Sequence, residues 1–219
     1  MNYRRVFIEN GYVHLIIVAY NRQPIFIQNI NLLKQAIINS KKYFNYELIA
    51  ICVLPEHIHM ILYPENIKDY LKIITSIKYY FSHNINVGVE TPTYGYLNKG
   101  EKGIFQRRYF EHTIIDEKDL NNQINYIHYN PVKHGYAKSV KDWEYSSFHK
   151  FVKNGLYDIN WGSNTDIKEI IDLNFEQTSS HLTEIFILFL SLQKVKPCQS
   201  LSHNHGIILE KKIILRINK

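Results

Sequence analysis

Cysteine is nearly absent: Cys52 and Cys198 are the two in 219 residues. That excludes a disulfide-stapled scaffold and points to a reducing interior. Cys52 sits in an apolar, strand-like run and reads as a small buried hydrophobe. Long apolar runs are missing too. The most apolar stretch, Ile185 to Leu192, falls far short of the roughly 20 residues that a membrane-spanning helix needs, so no membrane partner is expected. The first residues, MNYRRVFIENG, lack the apolar region of a secretory signal, and a cytoplasmic protein is expected. No internal repeat is present, which removes solenoids and propellers.

What is present describes a globular domain with an anionic partner. Hydrophobic residues make up 45% of the chain and charged residues 21%, a balance that supports a packed core and argues against disorder. The net charge is +6 and the isoelectric point about 9.1, which favours nucleic acid as the partner. Seventeen Tyr and eleven Phe supply flat faces, some for the core and some for stacking on bases.

Hydrophobic periodicity orders the elements. Tyr12–Tyr20 is apolar and β-branched, hence a strand, and Phe26–Phe44 carries a helical stripe through Ile30, Leu33, Ile37 and Ile38. Tyr46–Leu54 and His57–Tyr63 read as strands separated by Pro55 and Glu56. Ile67–Phe81 returns to helical spacing, and Asn84–Gly103 is a connecting loop. Ile104–Ile115 is a fourth strand, followed by Asp116 as N-cap of a helix over Glu117–Tyr129. The order β-α-β-β-α-β-α predicts an α+β fold: a ferredoxin-like, split-βαβ antiparallel sheet with helices on one face.

Three constellations carry chemistry. In His57-Ile58-His59 the imidazoles alternate onto one face of a strand, where they can hold a divalent ion. Spacing alone is weak, since 11 His in 219 residues give roughly half of one such pair by chance. His203 and His205 repeat the spacing in a polar setting and serve as the control. Metal binding and plain packing both stay open for His57 and His59. Tyr126 and Asn130 lie four apart, on one helical face, as a nucleophile and an amide ligand would. The plain alternative is that Tyr126 packs and Asn130 caps the helix ahead of Pro131. Arg107 and Arg108, between Gln106 and Tyr109, suit phosphates and bases, although strand alternation would split them to opposite faces. Solvated edge charge is the alternative. Lys133, His134, Lys138, Lys141, Lys150 and Lys153 add positive charge after the Tyr helix, and Asp142-Trp143 reads as a cap followed by a packed aromatic.

Together, and in this order, these pieces resemble the REP-associated tyrosine transposases, a branch of the single-tyrosine HUH transposases of small insertion sequences. The matching segments are RQPIF (22–26), LPEHIHM (54–60), IFQRRYFEHTI (104–114), YIHYNPVKHGYAKSVKDWEYSSF (126–148) and GLYDINWG (155–162). The resemblance spans residues 1–163, and residues 164–219 read as a divergent extension of unassigned function. It implies an HUH endonuclease-type fold, Tyr126 as nucleophile, and His57, His59 and Asn130 as ligands of Mg²⁺ or Mn²⁺. It also implies a single-stranded or hairpin DNA partner, and the basic residues Arg107, Arg108, Lys133 and His134 are expected to help bind it. A 5′-phosphotyrosine intermediate follows, and a homodimer exchanging the Tyr helix stays open beside a monomer. No general base is evident in the sequence. Two rivals remain: an inactive, domesticated DNA-binding protein, and a metallohydrolase that would turn over without a covalent intermediate.

Overall fold

The structure, a computed structural model, describes residues 7–86 and 103–163. The chain divides into two units, Met1–Ser163 and Asn164–Lys219, and the described residues all belong to the first. Most of the expected connecting loop lies outside the described residues, as do the Ile185–Leu192 run, Cys198 and the control pair His203/His205.

Four strands make one sheet: β1 (Tyr12–Val18), β2 (Tyr46–Val53), β3 (His57–Pro64) and β4 (Phe110–Ile114). Their order is β2-β3-β1-β4, and every neighbouring pair is antiparallel. The helices are α1 (Ile30–Ser40), α2 (Tyr70–Asn84), α3 (Glu117–Lys133) and α4 (Phe148–Lys153). This is the expected α+β, split-βαβ arrangement.

Strand alternation assigns the two faces. Val13, Leu15 and Ile17 of β1 and Ile58, Met60 and Leu62 of β3 share a core with Leu33 and Ala36 of α1 and Tyr70, Ile73, Ile74, Ile77 and Phe81 of α2. Each fully buried Ile, Leu or Phe there contributes roughly 1.5–3 kcal/mol. The intervening residues His14, His57 and His59 point to the other face, where α3 covers them through Gln123, Tyr126 and His134. The helices thus divide between the faces rather than sharing one, because β1 and β3 are buried on both sides. Period-2 patterning cannot show this when both faces are buried.

Three differences from the sequence reading bear on the site. Helix α1 is shorter than expected because Phe26 is held in a turn by its N–H bond to Pro55 O, and Asn29 Nδ2 donates back to Ile25 O. Strand β4 begins at Phe110; ahead of it, Phe105 makes only an isolated bridge with Ala19. Arg107 and Arg108 therefore sit in irregular chain, both exposed, and are not split by alternation. Helix α3 starts as expected, with Asp116 accepting from Asp119 N, but it runs through Pro131 to Lys133. Proline removes only its own N–H from the ladder near a helix end, and His134 N still reaches Asn130 O at 3.0 Å. Asn130 is thus inside the helix rather than its cap. Ser139 caps the next turn in a reciprocal box with Asp142, and Trp143 Nε1 donates to Val53 O. Behind α3, Tyr157 Oη donates to Asn125 Oδ1, and Gly162, at φ +84°, approaches Val140 and Tyr129 so closely that a Cβ would meet Val140 at 2.7 Å.

His128 shows how the back of α3 is held. It is fully buried, its Nε2 lies 2.8 Å from Ser147 Oγ, and Phe148, Phe151 and Tyr157 surround the ring. Burial depresses its imidazole from the ordinary 6.5 to about 3. The unfolded chain therefore takes up a proton below about pH 6.5 that the folded chain refuses until about pH 3. The expected outcome is a His128 contribution to acid destabilisation of about 1.4 kcal/mol per pH unit between those limits. Urea melts at pH 7, 5.5 and 4.5 should show a shallower loss for His128→Phe than for the parent protein.

Candidate active site

Strand β3 presents His57 and His59 side by side, their ring centroids 4.9 Å apart, both buried. Helix α3 lies across them. The Tyr126 ring is 5.6 Å from the His59 ring, and the His134 ring is 5.1 Å from the His57 ring. Asn130 is four residues after Tyr126 and four before His134, so it falls between these two contacts on one helical stripe. The two imidazoles and the Tyr126 ring thus lie together on one face of the sheet, and helical spacing puts Asn130 on the same stripe as Tyr126.

Each imidazole has its own support. His57 Nδ1 lies 3.0 Å from Glu56 Oε1, and Tyr136 Oη donates to Glu56 Oε2 at 2.8 Å. Arg22 Nη1 is 3.8 Å from the same carboxylate. Burial opposes ionisation of Glu56, but the hydrogen bonds from His57 and Tyr136 outweigh it and hold the carboxyl at about 2. On the other side, His59 Nδ1 is 3.3 Å from His14 Nε2, and His14 Nδ1 is 2.7 Å from Gln123 Oε1. Burial, reinforced by the neighbouring His59, pushes the His14 imidazole well below its ordinary value. Gln123 Nε2 donates to Asp119 Oδ1 at 3.1 Å, and His112 Nε2 donates to Asp119 Oδ2 at 2.8 Å. Burial disfavours the Asp119 charge, yet hydrogen bonds from His112, Gln123 and the Ile115 N–H keep its carboxyl below the usual range.

Asn130 is the observation that bears on a metal. Its side chain is fully buried, and neither Nδ2 nor Oδ1 has a hydrogen-bond partner among the described residues. A buried, unsatisfied amide costs about 1–3 kcal/mol. That is tolerable where the oxygen serves as a ligand, and the donor set of two imidazoles and one amide oxygen suits a divalent ion. Among the described residues, no three His, Cys, Asp or Glu side chains converge as a ligand set.

Two residues expected to touch DNA also make contacts within the site. Lys133 Nζ donates to Tyr126 Oη at 2.9 Å and lies 4.6 Å from the centre of its ring. Tyr126 is 1% exposed, so Lys133 covers a buried phenol. His134 packs against His57 rather than on an open face. Arg107 and Arg108 do line an open depression with Tyr20, Asn21 and Gln106. His14, Glu56, Gln123 and Tyr136 were missed. The one signal available was His14 itself, a lone polar residue inside an apolar strand, which must find a partner when buried.

The family described as "Transposase IS200 like" matches residues 7–130, more than half of the chain and all three groups of candidate residues up to Asn130. The chain belongs to this family. This IS200-like transposase is 41% identical over 169 residues to a Haemophilus influenzae protein named for the REP-associated tyrosine transposases, covering 76% of the chain and 96% of that relative. It is 37% identical over 167 residues to the REP-associated tyrosine transposase of Escherichia coli, covering 75% and 93%. A solved REP-associated tyrosine transposase bound to a REP hairpin superposes with a TM-score of 0.64 at 36% identity, over 75% of this chain and 92% of that one. The fold of the transposase is therefore the HUH fold that the sequence predicted. Among the described residues, no helix is long and apolar enough to cross a membrane.

Proposed function

We propose that this transposase cleaves and rejoins single-stranded, hairpin-forming DNA through a 5′-phosphotyrosine on Tyr126, with Mg²⁺ or Mn²⁺ held by His57, His59 and Asn130. The observation that carries the reading is the stripe Tyr126–Asn130–His134 laid against His59 and His57, with a buried amide otherwise unsatisfied. The relative bound to a REP hairpin supports the hairpin substrate. When bound, a divalent cation would polarise a non-bridging oxygen of the scissile phosphate and offset charge in the transition state.

The residues of the chain supply the rest. Tyr126 Oη attacks phosphorus, the bond to the 3′-oxygen breaks, and that oxygen takes a proton from solvent while the phenol proton is lost to solvent. A second 3′-OH later attacks the same phosphorus and releases Tyr126, so the phosphodiester energy is conserved. Phenol, with a pKa near 10 in model compounds, is a weak nucleophile unless its anion is stabilised. The Lys133 ammonium on Oη favours the phenolate in both attack and departure. Glu56 holds His57, and the exposed Arg107 and Arg108 are placed for phosphates, each contact on a single strand adding about −0.7 to the log–log salt slope.

The test is incubation of the full chain with hairpin oligonucleotides and Mn²⁺, followed by a denaturing gel and peptide mapping. A covalent adduct mapping to the Tyr126 peptide is expected; turnover with no adduct would favour a hydrolase, and no reaction a DNA-binding protein. Lys133→Met separates the two roles open to Lys133. Cleavage should fall about 100-fold with hairpin affinity and salt slope unchanged. A weaker, flatter salt dependence would instead make Lys133 a phosphate contact.

A further inference from the structure

The hydrogen-bond chain behind His59 has a direction. Asp119, ionised, can only accept, so the Gln123 amide must turn its NH₂ toward Asp119 and its carbonyl oxygen toward His14. A carbonyl oxygen also only accepts, which requires the proton of His14 to sit on Nδ1. Fully buried, His14 stays neutral, so its Nε2 is bare and accepts from His59 Nδ1–H. His59 is left with a bare Nε2. His57 reaches the same tautomer by a shorter route, its Nδ1–H donating straight to Glu56.

We propose that His14, Gln123 and Asp119 form a positioning relay that fixes His59 in the Nδ1–H tautomer and ties that tautomer to the docking of the nucleophile helix. The second half follows from where the members sit. His59 is on β3, His14 on β1 and His112 on β4, directly opposite His14 in the register. Asp119 and Gln123 are on α3, seven and three residues before Tyr126. If α3 rotates or lifts, Gln123 leaves His14, and His59 is free to move its proton to Nε2, where a ligand lone pair is lost. Nucleophile and ligand are thereby set by one event. Glu56 performs no such coupling, since its partners Tyr136 and His57 lie off the body of α3.

The ligand role of His59 rests on the proposed function; its tautomer does not. Long-range ¹H–¹⁵N correlation spectra of the full, metal-free chain labelled at histidine read the protonated nitrogen of each ring, with the His59 signals assigned by His59→Gln. The expected result is a single His59 species protonated at Nδ1, replaced in Gln123→Met by tautomer-averaged signals. Mn²⁺ affinity, measured by the electron spin resonance of the free ion, should fall about 10–100-fold in Gln123→Met. A parent protein with His59 protonated at Nε2 overturns the relay without need of any variant. So does a Gln123→Met protein, folded by its remaining spectrum, whose His59 keeps the parent signals. Failure of the parent protein to bind Mn²⁺ overturns the ligand reading and leaves the tautomer result to decide the relay.

Discussion

Tyr126→Phe should form no covalent protein–DNA adduct, with strand cleavage reduced on the order of 10⁴-fold or more. The substitution is clean because the ring, rather than the hydroxyl, does the packing: it lies against His59 and His14 and under the Lys133 ammonium. Phenylalanine preserves all of these contacts. The hydroxyl gives up the hydrogen bond from Lys133, about 1.5–3 kcal/mol for a charged donor. Hairpin binding, followed by gel shift, should match the parent protein, so the missing adduct on a denaturing gel reports chemistry alone. An adduct that persists in this variant removes Tyr126 as the nucleophile.

Asn130→Leu should move stability and activity in opposite directions. The amide is buried with both polar atoms unsatisfied among the described residues. An apolar side chain of similar size removes that desolvation cost, and the metal-free variant should gain about 1–3 kcal/mol in urea unfolding. Leucine also suits the helix interior better than asparagine. Mn²⁺-dependent cleavage should be lost in the same variant, because two imidazoles remain without the third donor. Added Mn²⁺ should raise the melting temperature of the parent protein and leave that of Asn130→Leu unchanged. A variant that is destabilised without metal would make Asn130 a packing residue. One that still cleaves would remove it from the ligand set.

The parts of the site that follow a single period were legible in the sequence. His57 and His59 share a face because strands alternate, and Tyr126 and Asn130 share one because helices repeat near 3.6. What failed to show depends on longer reach. The sequence names Lys133 as a DNA contact, but ending the helix before Pro131 hides its place on the Tyr126 stripe, seven residues on. The structure carries the helix two residues past the proline. His14 is 109 residues from Gln123, and no local pattern links a histidine in an apolar strand to an amide on a distant helix. The fourth strand was drawn too long because Ile104 and Phe105 are as apolar as strand residues. Their burial comes from the α1/α2 core, with only an isolated bridge to Ala19.

The turn around Gly162 and the Tyr157–Asn125 bond bring residues 155–163 against the rear of α3, on the side away from His57 and His59. They act as a buttress, taking up thrust that the sheet cannot resist from the front. A chain trimmed after residue 154 would keep every residue of the proposed chemistry, yet α3 would rest at its rear on Ser147, Phe148 and Phe151 alone of these supports.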